Sequence, residues 1–295
     1  MTGIICIDKP QGMTSFAVCS RLRKIFGEKK VGHAGTLDPL ATGVLPVMIG
    51  GATKFLSHLP EHDKGYLAEF ELGKTTDTLD ITGNLTGEFP VNCSDEQVRY
   101  AIESFKGKIM QVPPMYSAVS VGGKRLYELA RSGVEVERQS REIEIKKLDM
   151  MPKNGDYYVI DVLCSKGTYI RSLIDDIGKK LGTGAVMTSL CRTQACGFSL
   201  ADCNDLESLF AAKEAGEDMQ KYLLPVENVF LQFEKLTVSQ AQSIRFKNGG
   251  ALDAERIKSP IAESSVYRVC SPNGEFLGLG MEENSQLKVK RLLVE

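Results

Sequence analysis

The chain has no tryptophan and only three histidines, His33, His58 and His62, which form no metal-ligand spacing. Its eight cysteines are scattered; the nearest two, Cys191 and Cys196, have no second pair and no adjacent histidine to complete a zinc site. No metal is expected, and without a secretory leader the thiols read as reduced. No stretch approaches the roughly 18 to 20 uninterrupted apolar residues of a membrane helix. The first ten residues lack the basic flank and long apolar run of a signal peptide, so no membrane partner and a cytoplasmic location are expected. Glycine fingerprints for a dinucleotide or a nucleoside triphosphate are missing, and so are internal repeats and low-complexity tracts.

What is present suits a globular protein: 295 residues, 42% hydrophobic and 25% charged, enough for one large domain and one small one. The net charge is −2, yet residues 1–33 carry +4 (Lys9, Arg21, Arg23, Lys24, Lys29 and Lys30 against Asp8 and Glu28) while residues 201–234 carry −6. A polyanion therefore has a place to bind despite the acidic average; the alternative is an ordinary patchy surface.

Gly3 to Asp8 reads as a strand. Thr14 is placed to cap a helix to about Phe26, with Phe16, Leu22, Ile25 and Phe26 as apolar contacts and Gly27 as its stop. Tyr66, Ala68, Phe70 and Leu72 alternate with more polar positions, the pattern of a half-buried strand. Ser94 with Gln97 is a capping box for a helix ending before Gly107. Tyr157 to Leu163 is a strand, and Thr168 starts a helix through Leu181. Strands and helices mix without a regular βαβ rhythm, which predicts an α+β fold. From about Val229 a small β-rich module is expected, with strands at Thr237 to Phe246, Val266 to Cys270, Phe276 to Gly280 and Lys288 to Val294.

The most informative run is Gly32-His33-Ala34-Gly35-Thr36-Leu37-Asp38-Pro39-Leu40-Ala41-Thr42-Gly43-Val44-Leu45-Pro46-Val47. Its glycines and Asp38-Pro39 make it a loop able to hold an aspartate at a fixed angle, or else a plain turn whose aspartate bonds its own backbone. This run strongly resembles the catalytic loop of the TruB family of tRNA pseudouridine synthases. Asp8-Lys9-Pro10-Gln11-Gly12-Met13-Thr14-Ser15, Lys64-Gly65-Tyr66, Gly73-Lys74-Thr75-Thr76-Asp77-Thr78-Leu79-Asp80, Gln111 to Ala118 with Gly122 to Tyr127, and Cys164 to Leu173 resemble the family's other motifs, in order.

The resemblance implies a pseudouridine synthase fold, a mixed and largely antiparallel sheet with flanking helices over residues 1–228, and a small PUA-like RNA-binding domain over 229–295. It implies a cofactor-free isomerisation of the uridine at tRNA position 55, in the T loop of the T-arm stem-loop, with tRNA folding assistance as a second expected role. Asp38 is then the catalytic carboxylate, by attack on the sugar, addition to the base or removal of a ribose proton. Arg171 matches the arginine that keeps it ionised, against the plainer reading of a helical pair with Asp175. Tyr66 matches a stacking platform and Leu190 the opposite face of the base; core burial is the rival reading for both. His33 matches the residue that fills the place of the flipped base. Tyr169 joins the substrate-binding set, and Lys9, Lys124 and Arg125, with Arg131, Arg138 and the basic N-terminal residues, are candidate phosphate contacts. The compact C-terminus without a lysine-rich tail implies the stand-alone form that acts without guide RNA, and a monomer is expected. Two rivals stand beside this reading: a non-catalytic RNA chaperone, which has no need of Asp38, and an aspartate-dependent glycosyl hydrolase, which the sequence supports with no paired carboxylate motif.

Overall fold

The computed structural model describes residues 1–60 and 62–293. Strands β1 (Gly3–Lys9), β2 (Val31–His33), β3 (Thr42–Ile49) and β4 (Lys64–Leu72) open the chain, followed by a ribbon of β5 (Lys74–Thr76) and β6 (Leu85–Glu88). Next come β7 (Gly107–Gln111), a hairpin of β8 (Ser120–Val121) and β9 (Lys124–Arg125), then β10 (Arg141–Asn154), β11 (Tyr157–Cys164), β12 (Ala185–Ala195), β13 (Phe198–Ser199) and β14 (Cys203–Asn204). The large sheet has the order β14-β1-β3-β12-β4-β11-β10-β7, with β2 on β3 and β13 on β12. Only β1 with β14 and β3 with β12 run parallel, so the sheet is mixed and largely antiparallel.

Helix α1 (Ser15–Phe26) follows from its caps. The Thr14 side chain accepts from the Ala17 N–H, and Gly27 closes the helix in the left-handed region at φ 63°. Its buried stripe of Val18, Cys19, Leu22, Ile25 and Phe26 packs into the main core; Leu22→Ala would cost about 2–5 kcal/mol there. Phe16 does not join the stripe: it is 67% exposed, on the helix's outer side under the Arg23 guanidinium. Helix α2 (Asp95–Glu103) carries the Ser94–Gln97 capping box. After α3 (Leu126–Arg131), α4 (Ile170–Leu181) begins two residues later than expected, because the Thr168 hydroxyl bonds the Ser165 carbonyl instead of capping a helix. Helix α4 buries an almost complete face against the sheet beneath the cavity described below.

Helix α5 (Leu206–Glu214) lies in the acidic segment and packs on α1, where Glu207 meets Arg21 at 3.1 Å. The acidic stretch therefore covers part of the basic N-terminal region. Arg23 likewise turns inward, to Ser20 and the carbonyls of Lys29 and Val31.

A second sheet has the order β15-β17-β18-β19-β16, with β15 (Glu234–Thr237), β16 (Leu252–Asp253), β17 (Val266–Cys270), β18 (Phe276–Glu283) and β19 (Gln286–Leu292). Val294, the expected end of the last strand, lies outside the described residues. The expected strand at Thr237 to Phe246 is mostly helix: Ser239 and Gln242 form a capping box that starts α6 (Gln240–Lys247). A separate small core of Leu236, Phe246, Tyr267, Val269 and Leu287 fills this unit. Between the two sheets runs an apolar seam in which Phe230 packs on Phe55 at 5.5 Å and on Phe276 at 6.2 Å between ring centroids.

Candidate active site

Asp38 sits on the loop between β2 and β3, and backbone bonds from several directions fix that loop. Ser15, the first residue of α1, bridges Leu37 through its hydroxyl, which accepts from the Leu37 N–H at 2.8 Å and donates to its carbonyl at 3.1 Å. The Gly12 N–H donates to the Pro39 carbonyl at 2.7 Å. Leu37 and Leu40 are buried as anchors on either side of Asp38. Gly43 is in the left-handed region at φ 95°, and a Cβ there would lie 2.3 Å from the Arg192 carbonyl, so only glycine lets β3 and β12 meet at this point.

Lys9 belongs to the same scaffold, which corrects its assignment as a phosphate contact. It has no exposed surface, and its ammonium donates to the carbonyls of Pro10, Met13 and Pro39 at 2.9, 2.6 and 3.4 Å. Burial lowers its pKa to about 8, against the pull of Asp38. A charge with no path to solvent cannot release counterions from RNA.

Arg171, in the first turn of α4, rises to the loop from below and is 5% exposed. Its Nη2 lies 2.9 Å from Asp38 Oδ2 and donates to the Tyr116 carbonyl at 2.8 Å; its Nη1 donates to the Thr78 carbonyl at 2.9 Å. Asp175 takes no part, since it pairs with Lys179 at 2.6 Å. A second carboxylate, Asp80, stands 3.6 Å from Arg171 Nη1. Its other oxygen accepts from the Thr78 hydroxyl at 2.9 Å and the Thr82 N–H at 3.0 Å. This turn includes Leu79 at φ 64°, an uncommon conformation for leucine, which the β12 contacts of Leu79 and Ile81 hold in place. Asp80 closes the Gly73 to Asp80 motif, which by itself assigns it no role. It is buried and lies behind Arg171, outside the cavity wall, so the two carboxylates do not face a common substrate as a hydrolase pair would.

The cavity above this pair has a volume of about 250 Å³ and is lined by Asp38, Lys64, Tyr66, Tyr169, Arg171 and Leu190, among others. Burial raises the Asp38 pKa above the ordinary carboxylate range, with Arg171 opposing and Asp80 adding to the rise. Tyr66 and Leu190 come from the neighbouring strands β4 and β12, with Leu190 in register with Ala68. The Tyr66 hydroxyl is pushed up to about 12, chiefly by burial, so it stays protonated at neutral pH. Tyr169 caps α4 and is locked by Gln111, whose side chain accepts from its N–H at 2.8 Å and donates to its carbonyl at 3.0 Å. The Arg141 guanidinium covers its ring at 4.9 Å.

His33 is not in the cavity wall. It ends β2 at the root of the loop, where burial and the nearby Arg192 cation lower its pKa and Nδ1 has no hydrogen-bond partner among the described residues. Lys124 and Arg125 are exposed on β9, and Arg125 bonds the carbonyl of Ala118, a cavity residue. Sequence reasoning missed Arg192 altogether. It is fully buried on β12 and donates to Val44, Thr36 and Gly35 carbonyls at 2.8, 3.5 and 3.2 Å, tying the loop to the sheet.

The cavity thus lies between an aromatic and an aliphatic side chain, with a carboxylate–guanidinium pair at its floor. Residues 23–170 match the family model of the TruB family pseudouridylate synthase N-terminal domain, and residues 171–231 that of the tRNA pseudouridylate synthase B C-terminal domain. The chain is 42% identical to proteins named tRNA pseudouridine synthase B from Clostridium kluyveri and Clostridium tetani, covering all of both chains in each case. A solved Cbf5-Nop10-Gar1 complex contains a chain that superposes with a TM-score of 0.77 at 25% identity, covering 99% of this chain and 85% of that one. This chain belongs to the TruB family of pseudouridylate synthases, and its fold is that of a pseudouridine synthase with a C-terminal β-rich unit.

Proposed function

We propose that this protein isomerises uridine 55 in the T loop of tRNA to pseudouridine, with Asp38 as the reacting carboxylate. The observation that carries the reading is the Arg171–Asp38 pair at 2.9 Å, on the floor of a cavity walled by Tyr66 and Leu190. Converting uridine to pseudouridine moves the base from N1 to C5 with no net oxidation, so the chemistry asks for a positioned anion, a dry pocket and an exit for the C5 proton. Burial pushes Asp38 towards its neutral form, and Arg171 pulls it back towards the anion. Tyr66, held neutral, suits stacking on the extruded base better than proton removal as a phenolate. His33, largely uncharged, suits insertion into the space the base leaves.

The catalytic unit is assigned to residues 1–228 and a PUA-like RNA-binding unit to 229–295, and Lys124 and Arg125 are assigned to the T-arm backbone. The protein works as a cytoplasmic monomer and needs no guide RNA. A T-arm stem-loop tritiated at uridine C5 tests the reading. Wild-type protein is expected to release the label, while Asp38→Asn binds the RNA and releases none. Binding without release by the wild type would instead support the chaperone reading.

A further inference from the structure

Arg171 is flanked by two carboxylates, but another wall of the same cavity holds a cation flanked by none. Lys64 begins β4, so strand alternation puts its side chain on the face of Tyr66, and it lines the cavity. Among the described residues its ammonium has neither a hydrogen-bond acceptor nor a carboxylate. Asp63, its neighbour in sequence, is taken by Lys146 at 2.8 Å. The groups that face Lys64 are Arg192 from β12, Cys196 in the turn just after it and Cys164 from β11. Burial keeps both thiols protonated, and Arg192 spends its donors on backbone carbonyls. A Cβ built on Gly35 would lie 3.5 Å from Arg192 Nη1 and 3.6 Å from Lys64 Nζ, so two cations press on one point of the catalytic loop. A half-buried ammonium beside a second cation is unfavourable unless something brings negative charge to it.

Resting on the function proposed above, we infer that Lys64 is a catalytic residue whose ammonium donates a hydrogen bond to a uracil carbonyl oxygen and stabilises the detached base. When C1′–N1 breaks, its electron pair stays with the base, on N1 and, by delocalisation, on O2 and O4. C1′ is left short of that pair, beside Asp38; the base then rotates, C5 gives a pair to C1′, the C5 proton leaves to solvent and N1 takes one up, so the product is neutral. Lys64 keeps its own proton throughout and acts only as a donor to the oxygen that carries the charge. A phosphate is the less fitting partner, because Lys64 stands inside the cavity with Tyr66 and Leu190, whereas Lys124 and Arg125 stand on the outer surface.

The test compares wild-type, Lys64→Met and Lys64→Arg proteins on the tritiated stem-loop, under single turnover and in a separate binding assay. Lys64→Met is expected to slow label release roughly 100-fold while changing RNA affinity by less than about 3-fold, and Lys64→Arg to recover part of the rate. On a stem-loop with 5-fluorouridine at the target, whose base holds negative charge more easily, the Lys64→Met deficit in substrate consumption is expected to shrink to below about 10-fold. An unchanged rate, a loss confined to affinity, or equal deficits on both bases would overturn the role of Lys64. If wild-type protein releases no label at all, the proposed function itself fails, so the two failures are distinguishable.

Discussion

Replacing Arg171 by lysine keeps a positive charge yet removes the geometry, which makes it a sharp probe of the floor of the cavity. The guanidinium reaches Asp38 at 2.9 Å while two backbone carbonyls and Asp80 hold its fork in place. A single ammonium on a shorter reach cannot meet these partners together. At 2.9 Å the pair attracts by about 6 kcal/mol at an effective dielectric constant of about 20, and by about a quarter of that in water. The Asp38 side chain keeps 37% of its surface open, so screening reduces the usable share to about 2–3 kcal/mol. A loss of that size slows single turnover by roughly 30- to 150-fold. The loss should depend on pH in a definite sense. Asp38 already titrates high because of burial, and Arg171 is the main force lowering it. Weakening that force raises the folded pKa further, so less carboxylate is present at acid pH. The Arg171→Lys deficit is therefore largest near pH 5 and narrows towards about pH 9. Tritium release measured across that range, with RNA binding monitored in parallel, reads this directly. A near-normal rate, or a deficit of the same size at every pH, would refute the pairing.

Asp80→Asn should leave the fold intact and slow turnover by roughly 10-fold or more, because Arg171 loses the carboxylate behind it; equal rates for variant and wild type would remove Asp80 from the site. Lys9→Met leaves three carbonyls short of a donor and should lower unfolding free energy by about 1–3 kcal/mol in denaturant titrations. It should leave the salt dependence of RNA binding unchanged, and a shallower salt slope would restore Lys9 as a phosphate contact. Lys124→Gln, by contrast, should reduce the slope of log affinity against log salt by about 0.7 to 0.9 if its exposed ammonium meets the backbone of the T arm.

Local signals were the legible ones. Thr14, Gly27 and the Ser94–Gln97 pair mark helix ends because a cap acts within a few residues. Alternation from Tyr66 to Phe70 marks a half-buried strand for the same reason. The helix at Gln240–Lys247 carried the same kind of signal in Ser239 and Gln242, but β-forming neighbours concealed it. Asp38, Arg171, Tyr66 and Leu190 were legible only through family resemblance, since no local pattern tells which carboxylate meets which cation. Lys9 and Arg192 show what spacing cannot reveal. Their partners are carbonyl oxygens of the loop, and a carbonyl leaves no mark in the side-chain pattern. Asp80 was obscured in another way: its turn looks like an ordinary threonine-rich bend until Arg171 from a distant helix arrives beside it.

The aromatic seam between the two sheets has a consequence for how substrate is measured. Phe55 comes from the large sheet's side and Phe276 from the C-terminal sheet, and with Phe230 the three rings pack mutually. Swinging one unit away would open these rings to water, so the pair behaves as a caliper with a fixed gap. If the C-terminal unit grips RNA, as proposed above, the cavity meets only those nucleotides that lie one set span away, and choice of target becomes a matter of distance as much as of sequence.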